Sequence, residues 1–150
     1  MRVRSLLVLA ACLLAGPVVS RAGDSRDAGA LRAVAATDTT EVHPESVFEV
    51  TLSLENPTNT AQKIKIPDCG WDHVWTSSNR HVTWDFSDCD SNSEITIEIP
   101  PRGSYIFPKP LRMFVDGEDK KSRMVFRMGF KTAASRKTLW SRPITIDVTP

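Results

Sequence analysis

The chain has 150 residues, a formal net charge of +1 and 41% hydrophobic residues. This length is typical of a single domain, and the apolar content excludes an intrinsically disordered chain. The near-neutral charge provides no strong field for nucleic acid or for an acidic membrane surface. We therefore expect one folded domain that does not bind nucleic acid.

The N-terminus has the pattern of a secretory signal peptide. Arg2 and Arg4 precede an unbroken apolar run over residues 6–15. That run has the length of a signal h-region and is too short to cross a bilayer as a helix. Small residues before Gly23 are those that a signal peptidase reads, so we predict cleavage after Ala22.

This cleavage divides the chain into three predicted parts. Residues 1–22 are the signal peptide, residues 23–30 are a small, polar, flexible leader, and residues 31–150 form the domain. Cleavage removes three of the nineteen basic residues and no acidic residue, which leaves a mature net charge of −2. The mature domain is expected to be exported, to a periplasm or outside the cell.

Two alternatives at the N-terminus remain open. Residues 9–12 resemble a bacterial lipoprotein box, in which Cys12 would become a lipid-modified N-terminus. An uncleaved apolar run would instead serve as a membrane anchor. Cleavage and lipid modification both predict an exported domain.

The first predicted strands follow the leader. Residues 31–37 form a weak candidate strand, and residues 48–54 alternate apolar and polar side chains over a longer run. Period two is typical of a strand with one buried and one wet face. An Asn-Pro-Thr turn at residues 56–58 then leads to a second alternation at residues 63–66. These two runs predict a hairpin or a strand pair that crosses between sheets.

Residues 69–89 stand out in the chain. They contain three of the four tryptophans, and they begin and end with the two cysteines that follow the signal segment. In an oxidising compartment we expect Cys69 and Cys89 to form a disulfide, which would stabilise the fold by about 3 kcal/mol. Two metal-binding thiolates are the alternative, although no C-x-x-C pair accompanies them.

Short alternating runs then continue to the end of the chain. The predicted strands lie at residues 95–99, 105–107, 111–115, 124–130 and 140–148. In the last two, we expect Met124, Phe126, Met128 and Phe130 to share one face, and Trp140, Ile144, Ile146 and Val148 to line the final strand, with a bulge or edge at Pro143. Seven or eight one-sided strands predict an all-β fold, an antiparallel immunoglobulin-like β-sandwich.

The order of these signals resembles bacterial exported immunoglobulin-like or fibronectin-type modules. The resemblance is carried by a Pro-Glu turn at residues 44–45, the strand at residues 48–54, the Asn-Pro-Thr turn and a Pro-Arg-Gly turn at residues 101–103. It covers about residues 31–150. The chain is also similar to the bacterial intracellular proteinase inhibitor (BsuPI-like) family in its Asn-Pro-Thr strand turn. It departs from that family in its export signal and its cysteine pair.

The candidate binding residues lie in the cysteine-bounded segment. They are Trp71, Asp72, His73, Trp75 and Asn79. On extended geometry Trp71, His73 and Trp75 would share one face, and Trp84 would share another with Val82 and Phe86. These tryptophans either fill the end of the core or form a partly exposed platform for a peptide or glycan.

The sequence shows no catalytic or metal-ligand motif. It contains no H-x-H, no H-E-x-x-H, no nucleophile elbow and no Gly-rich phosphate loop. We therefore expect no enzyme activity, no metal site and no cofactor.

The leading hypothesis is a non-enzymatic exported domain that binds a protein or an envelope component. The contact residues are expected in loops at one end of the sandwich, at residues 71–79 and the neighbouring residues 116–121. A proteinase inhibitor of the BsuPI-like type and a periplasmic metal-binding domain are the alternatives. A further alternative is an enzyme of unrecognised type.

Overall fold

The computed structural model describes residues 31–86, 88–89, 93–116 and 123–149. The predicted signal peptide, the leader, Cys12 and most of the loop at residues 116–121 lie outside these residues. Thirteen strands are present in the described part. They are β1 (Arg32–Ala36), β2 (Glu41–Val42), β3 (Val47–Glu55), β4 (Gln62–Pro67), β5 (Trp75–Ser77), β6 (Val82–Trp84), β7 (Glu94–Ile99), β8 (Ser104–Ile106), β9 (Leu111–Val115), β10 (Arg123–Phe126), β11 (Met128–Phe130), β12 (Leu139–Trp140) and β13 (Ile144–Val148). The all-β prediction is confirmed.

The largest sheet is built around β3. Its strands run in the order β1-β3-β9-β6, all antiparallel, and β8 also pairs with β3. Side chains of β3 alternate as the sequence predicted, because Phe48, Val50, Leu52 and Leu54 are all buried. Burying each such side chain stabilises the fold by roughly 1.5–3 kcal/mol. This face of β3 therefore provides a central part of the core.

Two smaller sheets follow each other along the last strands. One has the order β10-β13-β2 and the other β12-β11-β5. Only Arg127 separates β10 from β11, and residues 141–143 separate β12 from β13. The expected interruption at Pro143 is therefore present. Met124, Phe126, Met128 and Phe130 are buried, which confirms that they face the core.

One pairing in this region departs from an all-antiparallel sheet. Strand β13 runs parallel to the short strand β2. On its other side β13 is antiparallel to β10, where Arg123 Nε donates a 2.8 Å hydrogen bond to Asp147 Oδ1. This hydrogen bond, and then the carboxylate charge, raise the pKa of the exposed Arg123 guanidinium.

Strands β4 and β7 form a separate antiparallel pair of six residues each. An exposed ion pair between Lys63 and Glu98, 3.1 Å apart, lies across this ladder. Because β4 pairs with β7 and not with β3, the chain crosses between sheets after the Asn-Pro-Thr turn. The sequence predicted either a hairpin of β3 and β4 or a strand pair that crosses between sheets, and the structure shows the crossing.

Residues from all of these sheets form one core cluster. The rings of Phe48 on β3 and Phe126 on β10 meet edge to face with centroids 6.2 Å apart, so the two sheets pack against each other. This packing is consistent with a β-sandwich. The thirteen strands in four sheets do not correspond one to one with the seven or eight expected, because bulges and crossings divide the longer runs.

The Asn-Pro-Thr turn is fixed by the buried side chain of Asn56. Its Nδ2 donates to the carbonyl oxygens of Thr60, Ile99 and Pro100, at 2.7, 3.1 and 3.0 Å. Its Oδ1 accepts hydrogen bonds from the amide and the hydroxyl of Thr58. The single amide therefore joins the end of β3, the turn and the end of β7, and all its polar atoms are satisfied.

The final strand departs from its prediction at Trp140. This side chain is 43% exposed, whereas Ile146 and Val148 are buried and Ile144 is partly buried. The bulge at residues 141–143 resets the alternation, so that Ser141 faces inward and Trp140 outward.

Candidate functional site

The cysteine-bounded segment begins and ends beside the β4–β7 pair. Cys69 and Cys89 form a disulfide with Cα atoms 5.9 Å apart, as predicted. It lies just beyond the end of the ladder, where Pro67 pairs with Glu94 and the Asp68 amide donates to the Ser93 carbonyl. The bond thus continues the attachment of β4 to β7 by one covalent link.

A short 3₁₀ helix, Trp71–Val74, follows the first cysteine. It begins at Gly70, whose carbonyl accepts a 3.1 Å hydrogen bond from the His73 amide. A Cβ at Gly70 would lie 3.0 Å from His73 Cδ2 and 3.8 Å from the Cys89 Cβ. Glycine therefore lets the imidazole lie close to the backbone beside the disulfide.

This helix changes the arrangement that extended geometry predicted. Trp71 and Trp75 both contact Phe107, with ring centroids 5.1 and 5.3 Å apart, whereas His73 is exposed. The three side chains do not share one face, because a 3₁₀ turn rotates successive residues by about 120° and a strand by about 180°.

Trp75 belongs to the core. It is only 3% exposed, and its ring also meets Phe130 edge to face. Trp84 is buried as well, and Trp71 is partly buried against the core. Of the two roles expected for the tryptophans, Trp75 and Trp84 therefore fill the core and do not form an exposed platform. Asp72 is buried within the same turn.

Two aromatic side chains of this segment, His73 and Phe86, are exposed and form an aromatic surface. Their rings stack with centroids 4.9 Å apart and an interplanar angle of 13°. Phe86 is 52% exposed, and its inner edge contacts the buried Trp84 at a centroid distance of 5.2 Å. We call these two rings, with the adjoining Cys69–Cys89 disulfide, the aromatic end.

Sequence reasoning placed Phe86 with Val82 and Trp84 on one face, and this placement is wrong. Strand β6 ends at Trp84, so the period-two alternation does not extend to residue 86. The available signal was the position of Phe86 three residues before a cysteine that was expected to be disulfide-bonded. Alternation alone could not reveal this.

Asn79 does not join the other candidate residues. It lies beyond the far end of β5, in the turn that leads to β6, where its Oδ1 accepts the His81 amide and its amide is bound by Ser77 Oγ. The His81 carbonyl accepts a hydrogen bond from the Asp116 amide, so this turn adjoins the start of the predicted loop at residues 116–121. Asp116 therefore lies beside the turn that contains Asn79, whereas Trp71 and His73 are at the opposite end of β5. Residues 117–121 lie outside the described residues.

His81 has a defined environment in that turn. Arg80 Nε donates to His81 Nε2 at 3.0 Å, which places the proton of the neutral ring on Nδ1. That nitrogen lies 4.0 Å from Asp116 Oδ2. These two contacts hold the His81 ring between Arg80 and Asp116.

The described residues contain neither a cluster of metal ligands nor a helix that could cross a membrane. No group of three or more His, Cys, Asp or Glu side chains in this part of the chain is arranged to hold a metal ion. In the same residues, no helix has the length and apolar character that a membrane crossing requires.

Comparison with protein-family models and with curated proteins gives no match.

Proposed function

We propose that this chain is a non-enzymatic, exported immunoglobulin-like domain that binds a protein or envelope component through its aromatic end. The stacked pair of His73 and Phe86 carries the proposal, because it leaves a large apolar ring half in solvent on a covalently fixed support. Aromatic side chains held in a rigid position lose little conformational entropy on binding and anchor many protein interfaces.

Several features support this proposal. The imidazole lies close to Gly70, and the ring of Phe86 contacts the ring of Trp84. The antiparallel sheets around one core fit an immunoglobulin-like module. The disulfide fits an oxidising compartment, and so an exported domain. The aromatic end lies beyond the sheets, where binding loops of sandwich domains commonly occur.

Affinity capture with matched variants tests the proposal. The purified, oxidised chain is immobilised and exposed to an envelope extract, and so are the variants Phe86→Ser and Val125→Ser. Val125 is also 52% exposed, but it lies on β10, away from the aromatic end. We expect one protein or envelope component to be retained by the wild type and by Val125→Ser, and to be lost with Phe86→Ser.

A second candidate function concerns the same surface. An inhibitor of the BsuPI-like type would present a rigid, exposed segment to a proteinase, and Asp85 and Phe86 are exposed four and three residues before a disulfide-bonded cysteine. Titration of endopeptidases separates the two functions. A binding domain leaves their activity unchanged, whereas inhibition that disappears with Phe86→Ser would replace the binding proposal.

A further inference from the structure

A second surface lies on the side of the molecule where β1 approaches β12. There the two strands border a groove of about 590 Å³, which is within the usual range for ligand-binding clefts. Its walls include Arg32, Ala33, Glu55, Trp140 and Arg142. The aromatic end contributes no residue to it.

Trp140 is held in a fixed position at this groove. It pairs with Gly129 across the β11–β12 ladder, and a Cβ at Gly129 would lie only 2.7 Å from Trp140 Cζ3. The same Cβ would lie 2.6 Å from Thr138 Cγ2. Glycine thus allows the indole to lie flat over the backbone of β11, while 43% of the side chain remains exposed.

The backbone at Arg142 is fixed by hydrogen bonds of the preceding residue, Ser141. The hydroxyl of buried Ser141 accepts the Met128 amide at 3.0 Å and donates to the Arg142 carbonyl at 2.9 Å. The Ser141 amide in turn donates to the Met128 carbonyl at 2.8 Å. This pattern places the exposed residues Trp140 and Arg142 on the two sides of a buried serine.

The charges of the groove favour an acidic ligand of low charge density. Arg32 and Arg142 are exposed and form no ion pair within the described residues, although Glu55 is paired with Arg32 in the β1–β3 register. Two guanidinium groups recognise carboxylates through paired hydrogen bonds. Glu55 gives the groove a carboxylate of its own, which disfavours a polyanion and can accept a hydrogen bond from a peptide amide.

We propose that this groove binds a short acidic peptide segment of a partner protein. Carboxylate side chains of the segment contact Arg32 and Arg142, and an apolar side chain packs on Trp140. Residues 31–35 line the groove, and the four steps between them extend roughly 13 Å along a strand, enough for about four residues of an extended peptide. The site is independent of the aromatic end.

Titration with synthetic peptides tests this inference. The probe is a capped octapeptide of alternating glutamate and valine, and the comparison peptide has lysine in place of glutamate. Binding to the oxidised full chain is followed by calorimetry and by tryptophan fluorescence. We expect the acidic peptide to bind at least tenfold more tightly than the basic one, and its affinity to fall as salt is added.

Charge-reversal variants locate the binding. The double variant Arg32→Glu with Arg142→Glu should weaken the acidic peptide at least tenfold, and Trp140→Phe should reduce the fluorescence change. Arg112→Glu is the matched control, because Arg112 is exposed on β9 outside the groove. It should change the affinity less than twofold, as should Phe86→Ser. Thermal melting verifies that each variant is folded.

Several outcomes would overturn the inference. These are equal binding of both peptides, no binding at about 1 mM peptide, and an equal loss of affinity with Arg112→Glu. Sedimentation of the wild type and the double variant tests one more outcome that would overturn the inference. Self-association of the wild type that the double charge reversal abolishes would assign the groove to a second copy of this chain.

Discussion

Two connections in this protein are fixed by different physical means. At the Asn-Pro-Thr turn, one buried amide makes five hydrogen bonds and leaves no polar atom of its own unsatisfied. At the aromatic end, a disulfide and stacked rings hold the chain, and Phe86 remains half exposed. The two connections lie at opposite ends of the β4–β7 pair.

The two connections differ in whether they leave a side chain exposed that a partner could bind. Hydrogen bonds of Asn56 are directed inward and are fully used, so the turn contributes stability and little else. The covalent link at the aromatic end needs no further burial to hold its loop, and an apolar ring can therefore remain at the surface. We expect changes at Asn56 to affect stability, and changes at Phe86 to affect binding.

The largest expected effect is that of Asn56→Ala. It removes five hydrogen bonds and leaves three carbonyl groups without this donor, so the free energy of unfolding should fall by about 4 kcal/mol. Urea denaturation measures the change. Asn59→Ala, which removes only an exposed acceptor of Arg102 Nε, is the control and should change stability by less than about 0.5 kcal/mol. If Asn56→Ala lowers the free energy of unfolding by less than about 1 kcal/mol, the hydrogen bonds of Asn56 do not fix this turn as described.

Removing the disulfide should have the next largest effect. The double variant Cys69→Ser with Cys89→Ser reopens a loop with a sequence separation of 20. Its free energy of unfolding should fall by about 3 kcal/mol on the chain-entropy model. The folded fraction should also lose its captured partner, because the support of His73 and Phe86 is no longer fixed. Unchanged capture by the folded double variant would show that the bond only stabilises the chain.

A smaller change is expected from Trp84→Phe. The Trp84 indole is buried, and its Nε1 has no hydrogen-bond partner within the described structure. Phenylalanine leaves a cavity but removes this unpaired donor, so the net loss should be about 1 kcal/mol. Chemical denaturation measures it. A loss above about 3 kcal/mol would indicate that the indole nitrogen has a partner in solution, such as water.

The smallest effect on stability is expected from Phe86→Ser. A half-exposed ring contributes little burial, so the free energy of unfolding should change by less than about 0.5 kcal/mol while partner capture is lost. Val125→Ser serves again as the control of equal exposure. If Phe86→Ser destabilises the fold as much as removal of the disulfide does, the ring is part of the core and the binding proposal loses its basis.

Much of the local structure could be predicted from single segments. Alternation identified β3 and the buried face of Met124 and Phe126, because a strand with one buried face repeats every two residues. It failed at Phe86 and at Trp140. In each case a local departure from the ladder, the end of β6 or the bulge at residues 141–143, changed which face the next side chain occupies.

The candidate site could be predicted only in part. The sequence indicated the segment of residues 69–89 and its disulfide, but it grouped Trp71, His73 and Asn79, which the fold separates. The groove at Trp140 and Arg142 had no sequence signal, because its walls come from β1 and β12, more than a hundred residues apart along the chain.

The all-β class, most strand positions and the pairing of Cys69 with Cys89 could be read from the sequence alone, since these follow from local periodicity and from having only two cysteines in residues 31–150. Tertiary structure decided which aromatic rings are buried and which are exposed. Exposure depends on which strands face each other and where each ladder ends, and these are contacts between distant parts of the chain.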